Sequence, residues 1–278
     1  MEDQKKDRCV LFLDSGIGGI PYFRHFHQRN PDQSIAYLAD RLHFPYGGRD
    51  RNELGEILAV LVERIVQNLN PRIIVLACNS ATIAALHRLR EHFPSIPFVG
   101  TVPAVKPAAL ASKTRKVGVL GTELTVRESY IRELSAQHGK CEILGIAAPE
   151  LVQFVENRFD SASDEERRQK VQGYLDRFRA GGVDALVLGC THFLFLLEDF
   201  QKEAMPDITV FESVHGISRR VESLLQAEFK ELTGQPDGKN EAPRTPNRLF
   251  LTGREAPEAS WMLWAERLNC KLSLLEET

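Results

Sequence analysis

No stretch of the chain holds the roughly 20 consecutive apolar residues that a membrane-spanning helix needs, so no membrane partner is expected. The opening residues, MEDQKKDR, are charged throughout and lack the apolar core of a secretory signal. Neither sign of charge dominates: 35 Lys and Arg stand against 38 Asp and Glu, a net charge near −3. The basic footprint of a nucleic-acid binder is therefore missing, and nucleic acid is not expected as a ligand. Cysteine is scarce and scattered. Cys9, Cys78, Cys141, Cys190 and Cys270 form no Cys-x-x-Cys pair that would hold zinc or cycle as a dithiol. An odd number of cysteines in a chain of 278 residues also argues against a disulfide framework. No His/Asp/Glu set has metal-ligand spacing and no lysine stands in a pyridoxal context, so neither metal nor cofactor is expected. The expectation is a cytoplasmic protein with free thiols, and 43% hydrophobic with 26% charged residues suits an ordinary globular core.

What the chain does have is alternation. CVLFLD (9–14) and SIAYLAD (34–40) read as short buried strands. Leu54, Ile57, Leu58, Leu61, Ile65 and Leu69 recur at helical spacing, and Asn70-Pro71 ends that helix. RIIVLA (72–77) follows as a strand, with a helix from about Ser80 to His92. The pattern restarts with a strand and helix over 116–130, and a helix over 163–180 stops at Gly181-Gly182. VDALVLG is the next strand, THFLFLLEDFQKEA (191–204) the next helix, and ITVFES (208–213) a strand before a long helix. The Pro-, Gly- and Asn-rich stretch 233–247 reads as a loop; a strand (248–252), a helix (257–267) and a strand (270–275) close the chain. Such alternation predicts an α/β fold, with parallel sheets flanked by helices. A weak internal echo adds to it. LACNSAT (76–82) and LGCTHFLFL (188–196) each place a cysteine and two polar residues directly behind an apolar run, and KVGVLGTELT echoes CVLFLDSGIGG. Two pseudo-symmetric domains facing one another would put both cysteines at the carboxyl ends of their strands, where open α/β sheets bind ligands.

DSGIGGIP (14–21) looks like a phosphate loop but is not one. The dinucleotide fingerprint wants glycine where Pro21 stands, no Gly-Lys-Ser/Thr follows, and Asp14 would oppose a phosphate. It reads instead as a tight turn that holds Asp14 and Ser15 into a site, with glycine where a side chain does not fit. Either cysteine alone reads as a buried structural thiol. Two in matching contexts, each at a helix start whose dipole favours thiolate and beside Asn79 and Ser80 or Thr191 and His192, point to chemistry. One chemistry that uses two thiols without a disulfide is inversion at a carbon bearing a weakly acidic hydrogen. A base removes the proton from one face and an acid returns it on the other. His192 would relay for or stabilise Cys190, Asp14 would do the same beside Cys78, and Tyr46 and Gly47 in HFPYGGRD would wall the substrate.

LDSGIGG, ACNSAT, FPYG and LGCTH, in that order and at these spacings, resemble the cofactor-independent glutamate racemases of the aspartate/glutamate racemase superfamily, over roughly residues 9–215. The resemblance implies two α/β domains with the active site in the cleft between them. Residues 1–100 with 210–278 would form one and 101–209 the other. It also implies interconversion of L- and D-glutamate, supply of D-glutamate to peptidoglycan, and a homodimer. By position, Cys78 and Cys190 match the catalytic acid/base pair, with Cys78 acting on D-glutamate and Cys190 on L-glutamate. Asp14 and His192 match their assistants, and Glu156 the acidic residue near the second half-site. Asp14 and Ser15, Tyr46 and Gly47, Asn79 and Ser80, and Thr191 and His192 match the substrate-binding pairs. The chain departs from the family in Ser80 for the usual threonine, Ala148 for a frequent cysteine and Glu212 for a common aspartate. Two alternatives stand beside this reading: a racemase of the same superfamily acting on aspartate or a hydantoin, and a non-catalytic amino-acid-binding protein.

Overall fold

Short, continuously apolar runs form the strands, because parallel strands covered on both faces have no polar side to present. Strands β1 (Val10–Asp14), β2 (Ile35–Ala39) and β3 (Ile73–Leu76) are buried at every position. With β4 (Phe98–Gly100), β9 (Asn247–Leu251) and β10 (Cys270–Leu274) they make a six-stranded parallel sheet in the order β10-β9-β2-β1-β3-β4. A second parallel sheet holds β5 (Lys116–Gly121), β6 (Glu142–Ala147), β7 (Ala185–Gly189) and β8 (Thr209–Phe211) in the order β6-β5-β7-β8. These strands and their helices belong to a computed structural model that describes residues 8–127, 129–130, 133, 136, 141–233 and 246–275. The N-terminal residues 1–7, and 234–245 of the stretch read as a loop, lie outside the described residues. The fold is α/β, as the alternation predicts.

The chain forms two compact units. One holds Met1–Pro45, Asn52–Thr101 and Val214–Thr278; the other holds Tyr46–Arg51 and Val102–Ser213. In the first, the aromatic core is built on β1: Phe12 packs against Phe23 and Phe26 with ring centroids 5.8 and 5.6 Å apart, and Phe23 against Tyr37 at 5.9 Å. The helix Arg51–Leu69 turns Leu54, Leu58, Leu61 and Ile65 inward at the helical spacing. In the second unit, Val117, Val119, Ala185 and Val187 of β5 and β7 pack against Val105, Ala108 and Ala109. Its helix Asp164–Ala180 is marked at both ends. Ser163 accepts a hydrogen bond from the Glu166 amide (3.2 Å), three carboxylates occupy the first turn, and Gly182 past its end takes φ +73°, which only glycine adopts freely.

The inner strands repeat one plan. β1 lies between β2 and β3, β5 lies between β6 and β7, and the orders β2-β1-β3-β4 and β6-β5-β7-β8 coincide. Each chain path goes from the first strand to one neighbour and then crosses to the other side. The strand order thus reverses between β1 and β3, and again between β5 and β7. The crevice at the carboxyl ends of such a pair is where open α/β sheets take ligands.

One expected element differs. Residues 191–204 form no single α-helix: Thr191–Leu196 is a 3₁₀-helix, and the α-helix starts at Leu197. Thr191, His192, Phe193, Leu194 and Leu196 are all buried, so this segment has no polar face of the kind an amphipathic α-helix presents. Its first turn closes on Cys190, whose carbonyl accepts from the Phe193 amide at 3.1 Å.

A half-buried carboxylate fixes the approach to β5. Asp184 accepts hydrogen bonds from Ser112 Oγ (2.5 Å) and from the amides of Lys113 (2.7 Å) and Thr114 (2.9 Å). Burial by itself pushes the Asp184 carboxyl up, but these donors outweigh it and hold it below the usual carboxylate range. Asp184→Asn should lower stability by about 2 kcal/mol, a fall in Tm of about 5 °C. The folded-state value is depressed, so the stabilisation is present above the ordinary carboxylate pKa of about 3.9. It fades as pH falls through the folded value. Thermal melts of both proteins from neutral to acid pH should converge; a gap that stays constant would exclude the carboxylate as its origin.

Candidate active site

In the first unit, the residues behind β1 and β3 come together at the reversal point. Leu13 and Leu76 are register partners, and the Ala77 amide donates to the Leu13 carbonyl at 2.8 Å. Asp14 and Ser15 therefore leave one strand beside the point where Cys78, Asn79 and Ser80 leave the other. Asp14 is fully buried at the strand end and accepts from the Ser15 amide (2.6 Å) and hydroxyl (3.3 Å). The glycine turn is clamped by Tyr37, whose buried hydroxyl donates to the Gly16 carbonyl (2.7 Å) and accepts from the Gly19 amide (3.1 Å). A Cβ on Gly19 would lie 2.8 Å from Ala77 Cβ, so glycine here lets the turn close against the residue ahead of Cys78.

Cys78 is 7% exposed and caps the 14-residue helix Asn79–His92 from an extended conformation, with no side-chain hydrogen bond to that helix end. Its thiol thus lies at the positive end of the helix dipole. Its carbonyl is held by the amide and hydroxyl of Thr82, each at 3.0 Å. Asn79 is buried, and its Oδ1 has no hydrogen-bond partner among the described residues. An orphaned buried acceptor is costly, and here, on the residue that follows Cys78, it is a ready acceptor for an ammonium or amide group. Ser80 is likewise buried in the first helical turn.

The second unit repeats the placement with different chemistry. Gly121 and Gly189 are register partners, followed by Thr122 and Cys190. Cys190 is 5% exposed and extended, like Cys78, but it precedes a 3₁₀-helix rather than an α-helix. The α-helix dipole expected behind both cysteines stands behind Cys78 alone. At Cys190 a histidine takes that place. His192 Nδ1 lies 3.9 Å from Cys190 Sγ, and its Nε2 lies 2.9 Å from Glu156 Oε2 on the helix Pro149–Arg158. Burial by itself pushes the imidazolium down; the contacts with Cys190 and then Glu156 outweigh it and leave His192 well above the usual histidine value. The imidazole thus bridges Cys190 and the Glu156 carboxylate, a route for a proton at Sγ.

Tyr46 and Gly47 belong to this second unit, in a short 3₁₀ turn packed on Thr122. A Cβ on Gly47 would fall 2.6 Å from Thr122 Cγ2, so the turn reaches Thr122 only as glycine. Thr191 is buried between Cys190 and His192. Thr122 is a site candidate that the motifs do not single out. It occupies in β5 the place of Ser15 in β1, it is buried, and its hydroxyl pairs with Thr125 Oγ1 at 3.0 Å. The echo of CVLFLDSGIGG in KVGVLGTELT was the available signal for it. Each unit thus offers a buried thiol and hydroxyls on a strand-end scaffold, with the Asp14 carboxylate at the neighbouring strand end in the first and the His192–Glu156 pair beside the thiol in the second. Among the described residues no group of three or more His, Cys, Asp or Glu is arranged to hold a metal. No helix among them is long and apolar enough to cross a membrane.

Comparison with known proteins adds to this geometry. The profile of the Asp/Glu/hydantoin racemase family matches residues 24–218. The glutamate racemase of Treponema pallidum (strain Nichols) is 37% identical over 221 residues, 79% of this chain and 82% of that protein. That of Glaesserella parasuis serovar 5 is 34% identical over 263 residues, 94% of this chain and 96% of its own. Among solved structures, Escherichia coli glutamate racemase in complex with L-glutamate and the activator UDP-MurNAc-Ala matches with a TM-score of 0.78 at 27% identity. It covers 96% of this chain and 97% of its own.

Proposed function

The chain belongs to the Asp/Glu/hydantoin racemase family, and from that premise we propose that it racemises glutamate through Cys78 and Cys190. The observation that carries the reading is the pairing of the two thiols: each stands just past the carboxyl end of a strand at a strand-order reversal, in sheets built on one plan. A binding protein has no use for two such acid/base groups.

In the proposed reaction, the Cys190 thiolate takes the α-proton of L-glutamate, forming the S–H bond as the Cα–H bond breaks. The Cys78 thiol then delivers its proton to the opposite face of the α-carbon, leaving D-glutamate and a Cys78 thiolate. D-glutamate reacts by the reverse path. Asp14 assists Cys78; His192, held by Glu156, assists Cys190. Asn79 Oδ1 accepts from the substrate ammonium, while Ser15, Ser80, Thr191 and the Tyr46–Gly47 turn hold its carboxylates. No cofactor enters. Delivery of D-glutamate to peptidoglycan, a cytoplasmic location and a homodimer complete the proposal and rest on the family resemblance.

The test is circular dichroism of L-glutamate and of L-aspartate incubated with the protein. Ellipticity should decay to zero with glutamate and persist with aspartate; the opposite pattern would reassign the substrate within the family. Exchange of the α-hydrogen in heavy water separates an enzyme from a binder, which gives none.

A further inference from the structure

A cavity in the first unit is lined by neither thiol. It measures about 400 Å³ and sits between the helix Arg51–Leu69 and the carboxyl ends of β2, β9 and β10, within the size range of small-molecule sites. Its floor is apolar, formed by Ile57, Leu61 and Leu275. Leu42 and Val60 line it as well and leave 56% and 55% of their surfaces exposed, so apolar surface is available to a ligand there.

The charged groups around the cavity are not equally engaged. Asp40 is fully buried and already engaged: His43 Nδ1 lies 2.9 Å from one carboxylate oxygen and the Thr252 hydroxyl donates to the other at 2.6 Å. Glu56 is paired with the Arg88 guanidinium at 2.5 and 2.9 Å. Arg64 is half-buried in the wall, and its guanidinium has no partner among the described residues. One guanidinium without such a partner therefore stands over an apolar floor.

We propose that this cavity binds an amphipathic small anion, its carboxylate or phosphate on Arg64 and its apolar body on Ile57, Leu61 and Leu275. A planar guanidinium suits either anion, because its fork of donors matches two oxygens at once. Hydrophobic contact covers Leu42 and Val60 and supplies the rest of the affinity.

Methyl-resolved NMR of the full chain tests the site with phenylbutyrate, phenyl phosphate and the neutral phenylbutyramide. Phenylbutyrate should shift the Val60, Leu61 and Leu275 methyls saturably, with a Kd about tenfold below that of the amide. Arg64→Gln should erase that difference and Arg64→Lys retain most of it. Tighter binding of phenyl phosphate than of phenylbutyrate would mark phosphate esters as the ligand class, and the reverse order carboxylates. Equal affinity of acid and amide for the wild-type chain, or no saturable shift at these methyls, would overturn the proposal, and neither result depends on the variants.

Discussion

Replacing Cys190 by alanine should lower the rate of glutamate racemisation about a thousandfold, and Cys78→Ala should do the same. The size of the loss follows from the role: a positioned acid or base contributes about two to four orders of magnitude, and inversion needs both groups in one turnover. The sharper signature lies in heavy water. A variant with one thiol left still removes a proton from the enantiomer that thiol faces and returns deuterium to the same side. Each single variant should therefore show slow α-hydrogen exchange without inversion, and the two should choose opposite enantiomers. Both cysteines are buried in strand-end positions, so Cys→Ser, which keeps the volume closer, guards against loss of fold. A variant that racemises near the wild-type rate would remove its cysteine from the mechanism.

Glu156→Gln should lower kcat about tenfold to a hundredfold, since a charge-assisted hydrogen bond is worth about 1.5–3 kcal/mol. In the proposed mechanism Glu156 acts through His192 as a positioning residue, and the pH profile separates that role from a structural one. With the carboxylate gone, burial still pushes His192 down and one of the contacts that raised it is lost. The imidazolium then gives up its proton at lower pH, and the alkaline limb of the kcat profile moves toward neutrality. Stability follows the same sign. A raised folded-state pKa stabilises fully below the unfolded value of about 6.5 and loses that contribution as pH rises through the folded value. The gap between wild type and Glu156→Gln in urea titrations should accordingly be widest in mild acid and close in alkali. An alkaline limb that does not move would detach Glu156 from the chemistry.

The two thiols and their neighbours were legible because parallel strands punctuate strongly. An unbroken apolar run such as IIVLA, then cysteine and hydroxyl or amide residues, marks a strand end without any alignment. Other parts had no local mark. β4 is three residues long, and β6 has mostly half-exposed positions, so neither offers a clean period. Glu156 sits on a helix far from His192 in sequence and meets it only in the folded unit; family resemblance alone pointed to it. The 3₁₀ turn behind Cys190 escaped because THFLFL is apolar on every side, a pattern that periodicity cannot tell from a buried α-helix. Membership of Tyr46–Arg51 in the second unit is a fact of packing with no signature in those six residues.

The shared strand plan also carries an inequality. At equivalent strand ends one sheet has Asp14 and the other Gly121, and the second unit places a carboxylate instead at Glu156, against the His192 imidazole. Mirror-image substrates have equal free energies in water, so their equilibrium constant is one and kcat/KM must be the same in both directions, however unlike the two half-sites are. In the proposed mechanism, any difference between an aspartate-assisted and a histidine-assisted thiol is thereby confined to kcat and KM taken separately, which must rise or fall together for each enantiomer. The protein is free to favour one hand in saturation or in affinity, but never in the balance it finally reaches.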